Sequence, residues 1–217
     1  MLKHILFAAV LAGNLSALNY DEALEKLLDS FRNKLENFRA DVTEEVKLGD
    51  MSEPKILRGT MTVKAPGKLL LEYTAPVKQN IISDGKTLWI YFKEQNQVVI
   101  QDVSEVKSKD NIIFQLPKYL EYLKEKYIGS LKEEEKHDEV EAVLLEFVPR
   151  DEGEDFTKIT LWADKEKWLP LSSTVFIGDG NSITVKFSKI KTNELLEDSL
   201  FDFKVPEGAE KITSLLR

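Results

Sequence analysis

The sequence predicts an α+β fold in which about eleven antiparallel strands form one large sheet and two helices cover one face of it. Three observations predict it. Apolar residues alternate with period 2 through most of the chain, as in Met61 and Val63 and again in Leu69, Leu71 and Tyr73, the pattern of half-buried strands. Tight-turn residues separate the runs, notably Asp84-Gly85 and Gly178-Asp-Gly-Asn181, which tolerate the positive φ of hairpin turns. Only two stretches show the 3–4 spacing of a helix. Two helices are too few to sandwich such a sheet, and a strongly twisted sheet of about ten strands tends to curl. The expected shape is a partly closed barrel with the helices over its mouth.

The first residues precede the fold. Lys3 and His4 stand before an apolar run, Ile5 to Gly13, that leads into Asn14-Leu-Ser-Ala17. A basic start, a short apolar stretch and a small-residue cleavage site predict a secretory signal peptide over residues 1–17. The run is shorter than the ~20 residues that span a bilayer. Residues 18–217 are expected to form a single domain, because 217 residues with 42% hydrophobic content suffice for one sizeable core. The chain has no cysteine, which removes disulfides and lipid attachment through an N-terminal Cys. The formal net charge is −8, one unit more negative without Lys3. That sign argues against nucleic acid and anionic membrane surfaces as partners. The expectation is an exported, soluble, unanchored monomer.

Asn19, with Glu22 three residues on, gives a helix start. Leu24, Leu27, Leu28, Phe31, Leu35 and Phe38 follow at helical spacing and predict one amphipathic helix from Tyr20 to about Phe38. Strands are expected over Ala40 to Leu48, Ile56 to Lys64 and Leu69 to Tyr73. Ser83-Asp84-Gly85-Lys86 is a hairpin turn, and Leu88 to Phe92 returns as a strand apolar on both faces. Lys93 to Gln97 turns into a strand at Val98 to Ile100, and Ser104 to Asp110 is a charged connector. Pro117 fits a first helical turn, and Leu116, Leu120, Leu123 and Tyr127 predict a second, shorter helix. Strands resume over Glu139 to Phe147, Phe156 to Ala163, Trp168 to Ile177 and Ser182 to Ile190. Leu200 to Phe203 reads as the last strand.

Catalytic chemistry is hard to assemble from these residues. Beyond residue 17 the one histidine is His137, within Glu-Glu-Lys-His-Asp-Glu, and it reads as a surface histidine in a charged loop. No second histidine or cysteine supports a metal site, and no Gly-x-Ser-x-Gly elbow supports a serine nucleophile. Gly178-x-Gly180 lacks a third glycine and a following helix, so it is a turn and no phosphate cradle. The 38 acidic residues single out no catalytic pair. Neither an enzyme nor a cofactor is expected.

Val63-Lys-Ala-Pro66, Tyr73-Thr-Ala-Pro76 and Ile82-Ser-Asp-Gly-Lys-Thr-Leu-Trp-Ile-Tyr91 resemble the outer-membrane lipoprotein carrier family, LolA. The similarity runs from Asn37-Phe38-Arg-Ala-Asp-Val42 to Phe201-Asp-Phe203-x-x-Pro206-x-Gly208, with the SDGKTLW hairpin its most specific part. The resemblance implies an unclosed antiparallel β half-barrel with a helical lid over its concave face. It also implies a periplasmic carrier for the acyl chains of outer-membrane lipoproteins. An inner-membrane ABC transporter of the LolCDE type would be the donor, and an outer-membrane receptor of the LolB type the acceptor. That receptor is itself a lipoprotein, which a chain without cysteine cannot be. One departure concerns the lid. Members often carry an arginine before the first proline that latches the lid to helix backbone, and here Ala65 stands at that position. Lys64 and Lys68 are near, but lysine lacks a planar guanidinium fork.

A carrier needs grease that a guest and a cover can share. Burying a methylene is worth ~0.8 kcal/mol, so one sixteen-carbon chain represents on the order of 12 kcal/mol. Three chains held perfectly would pass the practical affinity ceiling of ~20 kcal/mol and never be released. Leu28, Phe31 and Leu35, with Leu116, Leu120 and Leu123, are the expected cover, closing over Met61, Val63, Leu69, Leu71 and Tyr73. Trp89 and Tyr91 are expected to face the cavity, with Leu88, Ile90 and Phe92 covered from the other side. The alternative is a periplasmic sensing or regulatory module that binds lipids or lipoproteins with the same half-barrel.

Overall fold

A computed structural model describes residues 18–49, 51–103, 116–151, 154 and 156–213. The proposed signal peptide and the connector Ser104 to Asp110 lie outside them. Among the described residues a single open sheet of twelve strands runs in the order β12-β6-β5-β4-β3-β2-β1-β11-β10-β9-β8-β7. The strands are β1 (Asn37–Lys47), β2 (Lys55–Lys64), β3 (Lys68–Ala75), β4 (Gln79–Asp84), β5 (Thr87–Phe92) and β6 (Gln97–Asp102). There follow β7 (Tyr127–His137), β8 (Val140–Pro149), β9 (Lys158–Asp164), β10 (Pro170–Gly178), β11 (Asn181–Thr192) and β12 (Glu210–Thr213). Every pairing is antiparallel except β12 with β6, which is parallel. Two meanders, β1–β6 and β7–β11, are joined where β1 pairs with β11.

The turns form as their residues dictate. Gly85 takes φ 94° between β4 and β5, and the Asp84 carboxylate accepts from the Lys86 and Thr87 amides at 2.8 Å. Asp179 and Gly180, at φ 51° and 77°, close β10 onto β11. Helix α1 spans Tyr20–Asp29, and the Asn19 side chain caps it by accepting from the Glu22 amide at 3.0 Å. It is shorter than its apolar spacing suggests. A π turn, Ser30–Lys34, ends it. Asn193 then accepts from the Glu36 amide and donates to the Lys34 carbonyl, both at 2.8 Å. This side chain gives the last turn and the next strand their partners, so Leu35 falls outside the helix and Phe38 inside β1. Helix α2 spans Leu116–Lys126.

Three strand assignments change. Tyr127–His137 forms β7, although its charges (Lys132 to Lys136) read as a solvated loop. Leu200 to Phe203 is no strand: Asp198–Phe201 forms a 3-10 turn within an extended strap across the sheet. The last strand is β12, four residues long.

Candidate functional site: an apolar sheet face shared with two helices

Strand register decides which residues share a face. Val42 on β1 stands opposite Gly59 on β2 and Phe187 on β11, and Met61 and Val63 stand opposite Leu71 and Leu69. Leu71 stands opposite Ile81, and Ile81 opposite Ile90. In the other direction Val185 leads through Ser173 to Leu161 and Leu145. One face of all these strands is therefore continuous and mostly apolar, and both helices lie on it.

That face holds two clusters. In the first, Ala23, Leu24, Leu27 and Leu28 of α1 and Leu120 and Leu123 of α2 pack on Val143, Leu145 and Phe147 of β8 and Ile159, Leu161 and Ala163 of β9. The helix leucines are 0–1% exposed, and Phe31 packs at the cluster's margin. In the second, Val42, Leu57, Leu69, Leu71 and Tyr73 are buried, with Met61, Val63, Ile81, Val185 and Phe187 packed around them. Most of the sequence-predicted residues are thus brought together on one face, in two groups. The expected seating of the helices over Met61, Val63, Leu69, Leu71 and Tyr73 is overturned. They sit on β7–β9, because α2 runs directly into β7 and its leucines reach the nearest strands. Leu35 lies apart, in a cleft of about 370 Å³ with Arg32, Asn33, Lys34, Glu36, Lys64 and Ala65. The side chain of Leu116 lies outside the described positions.

Trp89 and Tyr91 face the other way. They stand opposite Ile82 and Asn80, on the face away from the helices, while Leu88 and Ile90 turn toward the helix-bearing face. Phe203 of the strap packs on both rings, with centroids 6.0 Å and 5.7 Å away. The strap's Phe201 is fully buried. Both faces of β5 needed apolar residues, one for the helix-bearing surface and one for the strap.

The position of the missing latch is resolved in the same terms. The Ala65 amide donates to the Glu36 carbonyl at 3.0 Å, joining the β2–β3 turn to the entry of β1. Lys64 and Lys68 reach away from the helices. Their ammonium groups hold Asp198 of the strap at 2.7 Å and 2.9 Å, and Lys64 also donates to the Leu196 carbonyl at 2.8 Å. These bonds hold the Asp198 carboxyl at about 2, below its usual 3.8. The helices are tied instead to each other. Arg32 pairs with Glu121, and Lys124 with Glu25 at 2.6 Å.

His137 ends β7, its ring stacked on Trp162 at 4.7 Å and its Nε2 3.1 Å from the Ser172 hydroxyl. Asp138 lies 4.0 Å from that same nitrogen. A Ser-His-Asp triad needs the carboxylate on the opposite nitrogen, so the pair forms no such relay. Among the described residues no cluster of three or more metal-ligating side chains occurs, and no helix is long and apolar enough to cross a membrane. Sequence reasoning missed Val42, Leu57, Val185 and Phe187, whose alternation on β1, β2 and β11 would have found them.

Residues 33–204 match the family model for outer membrane lipoprotein carrier protein LolA. An outer-membrane lipoprotein carrier protein of Hahella chejuensis is 25% identical over 98% of this chain and 97% of its own length. An uncharacterized protein of Methanocaldococcus jannaschii is 27% identical over 94% of this chain, which spans only 56% of that relative. Among solved structures, an uncharacterized conserved protein from Thermus thermophilus aligns with a TM-score of 0.59 at 16% identity, over 88% of this chain and 98% of that one. MucB, solved with MucA from Pseudomonas aeruginosa, aligns at 0.51 and 18% identity, over 84% of this chain and 60% of that one.

Proposed function

Because the chain belongs to the outer membrane lipoprotein carrier family, LolA, we propose that it binds the acyl chains of lipoproteins on its apolar sheet face and carries them through the periplasm without chemical change. The observation that carries this reading is the shared face itself. The helices occupy β7–β9 with five leucines, Leu24, Leu27, Leu28, Leu120 and Leu123. At ~1.5–3 kcal/mol for each buried side chain, they contribute roughly 7–15 kcal/mol. One long acyl chain laid on the neighbouring strands offers the helix leucines the same order of transfer energy as they leave behind on β7–β9, so they can move from sheet to guest at small net cost. A cover held much more tightly would never open.

In this reading Leu69, Leu71, Met61, Val63 and Tyr73 receive the hydrocarbon, and Leu28, Phe31, Leu120 and Leu123 move from sheet to guest. Trp89 and Tyr91 take no part, since the strap covers them. An inner-membrane ABC transporter would load the carrier and an outer-membrane receptor would unload it. The proposed export through residues 1–17 belongs to the same reading.

The test mixes the pure protein with a lipoprotein in detergent and removes the detergent. A soluble one-to-one complex is expected; a lipoprotein that aggregates as it does alone overturns the proposal. The fold likeness to MucB, solved in complex with MucA, favours one second reading, a sensing module. Such a module binds the lipoprotein and fails to deliver it to receptor-bearing membranes, so delivery separates the two.

A further inference from the structure

A carboxylate stands where the alternation of β1 would place another apolar residue. The helix-bearing face of β1 reads Phe38, Ala40, Val42, Glu44, Val46. Glu44 stands opposite Leu57 on β2 and Val185 on β11, and Val42 and Val46 flank it along the strand. Among the described residues its side chain has one partner, the Tyr73 hydroxyl, which donates to Oε2. No ion pair there includes Glu44. The next residue, Glu45, points to the other face and holds Lys186 at 2.9 Å.

Glu44 is half-buried, and a carboxylate set among apolar side chains loses part of its hydration, a cost that a matching charge removes. Tyr73 does not match it. Burial above all, and the bond to Glu44, push its phenol far above the ordinary range, so it stays a neutral donor. Oε1 and the negative charge are left for something else. A metal ion needs several more oxygen ligands than this pair supplies. An ammonium group needs only one carboxylate, and it is the one common cation that a hydrocarbon chain carries directly beside it.

We infer that Glu44 is the recognition group for the guest's polar head and that it selects acyl-bearing molecules with a primary ammonium close to the chain. The inference rests on the carrier reading above. The hydrocarbon lies along Leu57, Leu71 and Leu69, and the ammonium donates to Glu44 Oε1 in a charge-assisted bond. Tyr73 keeps Oε2 occupied and so fixes which oxygen is presented.

The experiment measures how well dodecylamine, dodecanol and dodecanoic acid displace a fluorescent fatty-chain probe from the full chain near neutral pH. The amine is expected to displace it at roughly tenfold lower concentration than the alcohol, as a charged hydrogen bond implies, with the acid weakest. Glu44→Gln erases the amine's advantage and leaves the alcohol unchanged. Glu45→Gln removes the same negative charge and keeps the advantage, which separates a local contact from general attraction to an acidic protein. Amine and alcohol binding alike in the unaltered protein, a variant at Glu44 that still prefers the amine, or an equal loss at Glu45 each overturn the inference. If neither the probe nor any of the three compounds binds, the carrier reading itself fails.

Discussion

At the scale of single residues, Gly129 decides how α1 meets the sheet. It lies on β7 beneath Tyr20, where a Cβ would overlap the phenol ring. Tyr20 uses the gap to set its ring edge-on to Phe147, with centroids 6.1 Å apart. Gly129→Ala must push that ring aside, and a loss of about 1–3 kcal/mol is expected in urea unfolding. Burial, aided by Asp21, also pushes the Tyr20 phenol up to about 12 from 10.0. The unfolded chain ionises this group first, so its contribution is complete below pH 10 and lost as pH rises toward 12. Melting temperatures across that window should fall less in Tyr20→Phe than in the unaltered protein. The sequence marks Asn19 as a cap plainly, because capping is local. It cannot mark Gly129, whose role depends on a ring more than a hundred residues earlier in the chain.

At the scale of elements, the two helices behave as one body. Arg32–Glu121 and Lys124–Glu25 bridge them at the exposed surface, where ion pairs are weak and screened by salt. Raising the salt concentration should therefore speed amide exchange in α2 while leaving β8 and β9 unchanged. Reversing one charge by Arg32→Glu should do the same, and adding Glu121→Arg should restore protection. The strap has its own fastening. Asp198 is ionised in the folded protein down to about pH 2, so the two lysines hold it fully above pH 4 and release it as pH falls from 4 toward 2. Proteolysis near residue 198 should increase over that interval, and Asp198→Asn should be cut at neutral pH as readily as the unaltered chain is in acid. Elements were legible where one local period dominated. The meander from β2 to β6 follows from alternation and turn residues alone. The end of α1 does not, because Phe31, Leu35 and Phe38 fit a helix while Phe38, Ala40 and Val42 fit a strand, and Asn193 settles the contest from afar. Phe201 and Phe203 alternate as a strand would, yet an extended strap buries alternate residues too. With apolar residues on both sides, Leu88 to Phe92 gives no sign of which side meets the helices.

At the scale of the whole molecule, the sheet is open and ends in β7 and β12. An exposed edge invites pairing with another chain unless something discourages it. Lys132, Glu133, Glu134, Glu135 and Lys136 are all exposed along β7, and their charges oppose such stacking. Replacing Glu133 and Glu135 together by valine should produce dimers and larger species in size-exclusion chromatography, with secondary structure unchanged. Those charges hid β7 from sequence reasoning, since the residues that protect an edge are the ones that resemble a loop. The site was half legible for a related reason: which strands offer a greasy face can be read locally, whereas the strands on which the helices settle depend on the chain's path through α2 into β7.

The seam between the two meanders has a consequence for how the protein is made. Val42 finds Phe187 and Phe38 finds Thr192 across β1 and β11, so the middle of the sheet waits for residues near the far end of the polypeptide. Loops that long close slowly, and folds built on such distant pairings form in milliseconds to seconds. A newly made chain therefore leaves the middle of its sheet unformed until β11 has emerged.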